Sequence, residues 1–159
     1  MSIKPITEAM WPQIVALQAE AYFQVEPESV DVLKSKWLNS PASCFVYEQA
    51  GKLVAYLLAH CWHSETAPKL YQTLPDGATG PILFLHDLAI SKAAAGDGLG
   101  TKMVSHLIKT AKEGGFQQIN LVAVQQSAAF WQKQGFFPVD NQQLCLGYGD
   151  GAQLMSLRF

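Results

Sequence analysis

The sequence predicts a mixed α/β sheet with helices on both faces, built as one domain. Two observations carry this. Ser43–Glu48 and Lys52–Cys61 are apolar runs of strand length, joined by Gln49-Ala50-Gly51, a hairpin signal with Gly51 available for positive φ. Further on, the apolar run Ile82–Ile90 leads through a small-residue loop, Ala93–Gly100, into an amphipathic helix and a second run, Gln118–Val124, the order of a βαβ-like unit. Length sets the bound: 159 residues are most simply one domain, 1–159, large enough for a core of its own.

Taken in order, Ile3–Ile6 can form a first strand. Thr7 can cap a helix running to about Tyr22, with Met10, Ile14, Leu17 and Ala21 on one face. Pro12 then requires a loosened first turn, or a start nearer Met10. Pro27 suits the first turn of a second helix, with Val30, Leu33 and Trp37 as its buried stripe, and Asn39-Ser40-Pro41 stops it. After the hairpin, Trp62–Gly80 is a loop rich in turn formers, long enough to call for a functional reason. The central helix carries Met103, Val104, Leu107, Ile108 and Ala111 on its apolar face and ends at Gly114-Gly115. A short helix closing at Gly135-Phe136 follows, then a short strand near Phe137-Pro138-Val139. Asn141–Gly151 links this to a last strand, Gln153–Phe159.

Composition narrows the function classes. Apolar residues make up 49% of the chain, and the formal net charge is −2, so the chain is a folded one without the basic surface of a nucleic-acid binder. No apolar run reaches the roughly 18 residues of a membrane span, and the N-terminal stretch lacks the apolar region of a signal peptide. Cys44, Cys61 and Cys145 are odd in number and lack metal-site spacing. The expectation is a cytoplasmic, reduced, metal-free protein with neither nucleic-acid nor membrane partners.

Strand, glycine loop and helix in that order make an anion site. Glycines bring backbone N–H groups close to a ligand, and the helix start adds unpaired donors and the positive end of its dipole. Spacing decides which phosphate. A dinucleotide fingerprint started at Gly96 needs glycine where Thr101 stands, and a P-loop needs Gly-Lys-Ser/Thr where the order is Gly100-Thr101-Lys102. Both nucleotide readings fail.

What fits is an ordered set of motifs over about a third of the chain. The loop resembles the pyrophosphate loop of the GNAT superfamily of acyl-CoA-dependent N-acyltransferases, Arg/Gln-x-x-Gly-x-Gly/Ala after a strand. Gly98 and Gly100 take its two small positions, and Ala95 departs from the family at the first. Downstream, Phe130-Trp131-Gln132-Lys133-Gln134-Gly135-Phe136 is similar to the family's short-helix ending, with Trp131 where many members have tyrosine. Leu85–Ile90 resembles the preceding strand, above all in the arylalkylamine acetyltransferase branch. The resemblance implies a GNAT-like fold: a mostly antiparallel sheet with a central parallel pair.

It also implies a reaction, direct transfer of an acetyl group from acetyl-CoA to a primary amine of a small molecule or protein. Main-chain groups of Leu88, Ala89 and Ile90 would meet the pantetheine and acyl carbonyl. Ala95, Gly96, Asp97, Gly98, Leu99, Gly100 and Thr101 would hold the pyrophosphate, and Phe130 and Trp131 would pack along the cofactor or in the core. His86 is the candidate general base, because imidazole titrates near neutral pH; it matches one of two strand histidines in the arylalkylamine branch, the other position being Phe84. The alternative is a histidine merely packed beside the cofactor. Period two puts His86, Leu88 and Ile90 on one face and Asp87 on the other, as a structural anchor. His60, in an apolar strand, reads as a satisfied core histidine.

Indole has no acid–base function at neutral pH, so thiolate protonation falls to solvent or to Ser127, Tyr22 or Cys61. Tyr22, Phe23, Glu26, Trp62 and His63 are the candidate acceptor-site residues, from the segments that shape that site in the family. Monomer and homodimer both stay open. A non-catalytic acyl-CoA-binding regulatory domain on the same fold is the alternative function, kept in view by Ala95 and Trp131.

Overall fold

The computed structural model describes residues 2–22, 27–64, 67–68, 71–74, 77–94, 96, 98–124, 127–139 and 151–159. In chain order the elements are β1 (Ser2–Pro5), α1 (Trp11–Ala21), α2 (Val30–Asn39), β2 (Phe45–Gln49), β3 (Lys52–Trp62), β4 (Ile82–Ile90), α3 (Leu99–Glu113), β5 (Gln118–Ala123), α4 (Ala128–Lys133), β6 (Phe137–Pro138) and β7 (Gln153–Arg158). One sheet has the order β1-β2-β3-β4-β5-β7-β6. Every pairing is antiparallel except β4 with β5. The hairpin turns where expected, with Ala50 at φ 53° and Gly51 at φ 76°, the paired left-handed residues that match the twist of the strands it joins.

The sheet separates two cores. On one face α3 buries Met103, Val104, Leu107 and Ala111 against Leu57, Leu83, Leu85, Ile119 and Leu121. On the other, α1 and α2 bury Trp11, Ile14, Leu17 and Leu33 against Val46, Tyr56, Leu58 and Ala89. The helix periodicity of α3 was legible because nothing but packing decides its apolar face.

The first two helices differ from expectation in detail. Pro12 does lie in a first turn, since Glu8–Met10 form a separate 3-10 turn and α1 begins at Trp11. Pro27 stays outside α2, which starts at Val30 behind the cap Ser29, whose Oγ accepts the Val32 N–H at 3.3 Å. The buried residues of α2 are Val32, Leu33, Ser35 and Lys36, while Val30 is exposed and Trp37 is partly buried beside Trp11. The described parts of the 62–80 loop are stitched to α2: Lys36 Nζ donates to Gln72 O, Leu74 N–H to Ser35 Oγ and Ala78 N–H to Asn39 Oδ1. The connection expected over Asn141–Gly151 lies, apart from Gly151, outside the described residues.

Candidate active site

β4 and β5 pair only from Ile82–Gln118 to Leu85–Leu121, although β4 continues to Ile90 and β5 to Ala123. Past Leu85 the two strands part and leave a cleft of about 270 Å³. Its walls include Tyr22, His86, Leu88, Ile90, Val122, Ser127, Phe130 and Trp131. Ser91 N–H bonds Val54 O of β3 at 2.7 Å. Alternation along an antiparallel strand therefore turns the main chain of Ala89 toward β3 and that of Leu88 and Ile90 toward the cleft. The Leu88 carbonyl already accepts the Tyr22 hydroxyl at 2.8 Å. Of the strand residues proposed to meet a ligand through the backbone, Leu88 and Ile90 have the right direction and Ala89 does not.

The glycine loop opens on a second cleft of about 440 Å³, lined by Ile90, Ala94, Gly96, Gly98, Leu99, Gly100, Thr101 and Phe130. The two clefts adjoin, with Ile90 and Phe130 lining both. Gly98 caps α3 in the left-handed region, φ 74°, where a Cβ is strained. The first intrahelical donor is Lys102 N–H, to Gly98 O. The amides of Leu99, Gly100 and Thr101 thus precede the helix ladder, as an anion requires. A Cβ on Gly100 would stand 3.0 Å from the Phe130 ring and 3.2 Å from the Ile90 side chain. Ala95 and Asp97, proposed for the same loop, lie outside the described residues.

His86 is where strict alternation fails. The β3–β4 ladder pairs Leu58 with Asp87 and Ala59 with Leu85, which leaves His86 as the extra residue of a β-bulge. Leu83 and Leu85 face α3, as do Leu88 and Ile90 beyond the bulge. His86 does not share the Leu88 and Ile90 face, and Asp87 does not oppose it: both turn into a buried polar cluster on the α1–α2 side.

In that cluster His86 Nε2 lies 2.5 Å from Glu28 Oε1. The other Glu28 oxygen accepts the Tyr71 N–H at 2.8 Å. Gln18 of α1 clamps the Glu28 backbone from both sides, donating Nε2–H to its carbonyl and accepting its N–H at Oε1. Tyr56 donates its hydroxyl to Asp87 Oδ2 at 2.5 Å. His60 stands beside His86 with ring centroids 6.5 Å apart. His60 Nδ1 lies 3.0 Å from Cys61 O, and Lys36 is wholly buried nearby on α2.

Burial dominates the electrostatics. It would raise the Glu28 carboxyl, but the charge and hydrogen bond of His86, the Tyr71 amide and Lys36 together bring it down to about 2. Burial lowers Lys36 against the pull of Glu28 and Asp87, and lowers His60 to about 3. It raises Asp87 despite His86 and the two tyrosines, and raises Tyr22 and Tyr56 well above a free phenol. Both phenols hold their protons.

Trp131 is buried, 4.9 Å from the Phe130 ring and 5.6 Å from Phe136. Trp62 lies edge-on to His60 at 5.6 Å, and His63 is exposed beside it; neither lines the two clefts. Phe23 and Glu26 lie outside the described residues. Sequence reasoning missed Glu28 and Lys36. Glu28 lies before α2 and Lys36 stands among its buried residues, where a charged side chain is not expected from the sequence pattern. His60 is only half of a satisfied core histidine, since its Nε2 is buried with no hydrogen-bond partner among the described residues. Nor does any group of three metal-binding side chains occur among the described residues.

A model of the acetyltransferase (GNAT) family matches residues 11–136, and the chain belongs to that family. This places it among the acyltransferases, as the ordered motifs implied. No curated protein matches the sequence. The ribosomal-protein-S18-alanine N-acetyltransferase from Escherichia coli superposes with TM-score 0.71 at 18% identity, covering 99% of this chain and 92% of that one. The PaiA N-acetyltransferase from Thermoplasma acidophilum, in complex with coenzyme A, gives 0.73 at 12% identity, covering 99% and 98%. The GNAT-like decarboxylase GphF, in complex with isobutyryl-CoA, gives 0.79 at 14% identity, covering 99% of both chains.

Proposed function

We propose that this protein transfers an acetyl group from acetyl-CoA to a primary amine of a small molecule or a protein. The observation that carries the reading is the pair of adjoining clefts, one at the α3 N-terminus and one where β4 and β5 part, with Ile90 and Phe130 lining both. A CoA thioester has a pyrophosphate, a narrow amide-bearing pantetheine and a reactive carbonyl. The two clefts offer those groups helix amides that precede the α3 ladder, strand main chain between apolar walls, and His86. Neighbours solved with coenzyme A or isobutyryl-CoA support a CoA-derived donor.

In this reading Leu99, Gly100 and Thr101 hold the pyrophosphate by their amides, with Gly96 and Gly98 keeping the approach open. Leu88 and Ile90 bond the pantetheine and the acyl oxygen through the main chain. The amine lone pair attacks the thioester carbonyl carbon, and the C–S bond breaks with its electrons on sulfur. His86 takes the ammonium proton beforehand. Trp131 supplies no proton to the thiolate, and Tyr22 holds its own too tightly to be an efficient donor, so the sulfur takes its proton from solvent or from Ser127 at the cleft wall. Among the described acceptor-site candidates, Tyr22 reaches the cleft. A cytoplasmic setting accords with free thiols at Cys44 and Cys61.

Calorimetry of acetyl-CoA, with ATP and NAD as controls, followed by turnover on an amine panel, tests the reading. Micromolar binding of acetyl-CoA alone with turnover is expected. Binding without turnover on any amine would make the chain an acyl-CoA-binding regulatory domain, and no binding would remove both.

A further inference from the structure

We propose that Glu28 is a positioning residue that fixes the His86 tautomer, holding Nε2–H to its carboxylate and leaving Nδ1 as the proton-accepting lone pair beside the cleft. The inference deepens the acyltransferase reading and rests on it.

Three observations converge. Glu28 Oε1 lies 2.5 Å from His86 Nε2, close enough for one nitrogen to be committed to the carboxylate. Glu28 is itself immobilised by the Tyr71 amide on its second oxygen and by Gln18 on both its backbone groups. It is built to orient and not to wander. Finally, His86 Nδ1 is buried with no hydrogen-bond partner among the described residues. A buried polar atom left unpaired is destabilising, a cost that a base awaiting a proton has reason to carry.

The tautomer follows from the donor inventory. An ionised carboxylate only accepts, so the nitrogen facing it must carry the hydrogen, and a neutral ring has its lone pair on the other nitrogen. His60 does not compete for that role: its Nδ1 serves the Cys61 carbonyl, and burial keeps the ring neutral. The ionisable groups gathered around His86 are Glu28 before α2, Lys36 on α2, Asp87 on β4, His60 and Tyr56 on β3, and Tyr22 at the end of α1. When Nδ1 takes the ammonium proton, the imidazolium forms against the Glu28 carboxylate. The proton returns to solvent after the thiolate has left, so the residues end each turnover unchanged.

Long-range 1H–15N correlation on histidine-labelled protein reads the tautomer directly, without substrate. The Nε2–H form of His86 is expected in the parent, with loss of its fixed tautomer in Glu28→Gln. The Nδ1–H form in the parent, or an unchanged tautomer in Glu28→Gln, would overturn the inference, and the parent spectrum decides even if the variant fails to fold. Under turnover, Glu28→Gln is expected to lower kcat roughly 100-fold, shift the acid limb of the pH–rate profile to lower pH and leave acetyl-CoA affinity nearly unchanged. Glu28→Asp should restore part of the rate. An unchanged kcat and pH profile would overturn the role. If no protein form binds acetyl-CoA, the acyltransferase reading falls, and the spectra still decide the pairing.

Discussion

At His86 one unpaired position in the β3–β4 ladder turns an imidazole onto Glu28 and away from the α3 core. A two-residue period places every side chain of a regular strand, but a bulge resets the count, and no local residue type marks where. The histidine itself was legible, because its chemistry was rare among apolar neighbours. Its partner was not, since Glu28 reaches it across 58 positions of chain. The base assignment makes a direct claim on kinetics. His86→Ala should lower kcat roughly 100-fold while acetyl-CoA affinity, by calorimetry, stays close to the parent's. An unchanged pH–rate profile in that variant would remove His86 as the base.

Among the elements, the join between β4 and α3 carries the donor reading. Gly98 and Gly100 were singled out by spacing, and the structure separates their reasons. A side chain at Gly98 meets nothing within 4 Å, so it would project into open space beside the helix amides, from a strained φ of 74°. A side chain at Gly100 meets Phe130 and Ile90, the two residues that line both clefts. Gly98→Val and Gly100→Val should each weaken acetyl-CoA binding by tenfold or more, on the order of 1.4 kcal/mol. The Gly98 variant should also lose about 1–3 kcal/mol of stability from backbone strain. Parent-like affinity in both, by calorimetry, would refute the loop as the pyrophosphate site.

On the scale of the whole molecule, the buried polar cluster ties stability to pH. His60 has its pKa depressed to about 3 by burial, against 6.5 for an unperturbed histidine. The unfolded chain therefore binds the extra proton, and this contribution, complete above about pH 6.5, is lost as pH falls toward 3, with a slope of up to about 1.4 kcal/mol per pH unit. Glu28, depressed from 4.5 to about 2, adds a contribution of the same sign, complete above 4.5 and lost as pH falls toward 2. Urea midpoints should decline from pH 7 to pH 4.5, and the decline should flatten in His60→Gln; an equal slope in parent and variant would contradict the assignment. The sequence by itself determined the order of elements, the hairpin, the apolar face of α3 and the glycine loop, because each is set by neighbours within one turn or one strand. Only the tertiary structure decided where β4 parts from β5, which side His86 takes, and that Glu28, Lys36 and His60 gather around it. Those outcomes depend on ladder register and on contacts between distant segments, and a buried charge is placed by its partners more than by its own position in the chain.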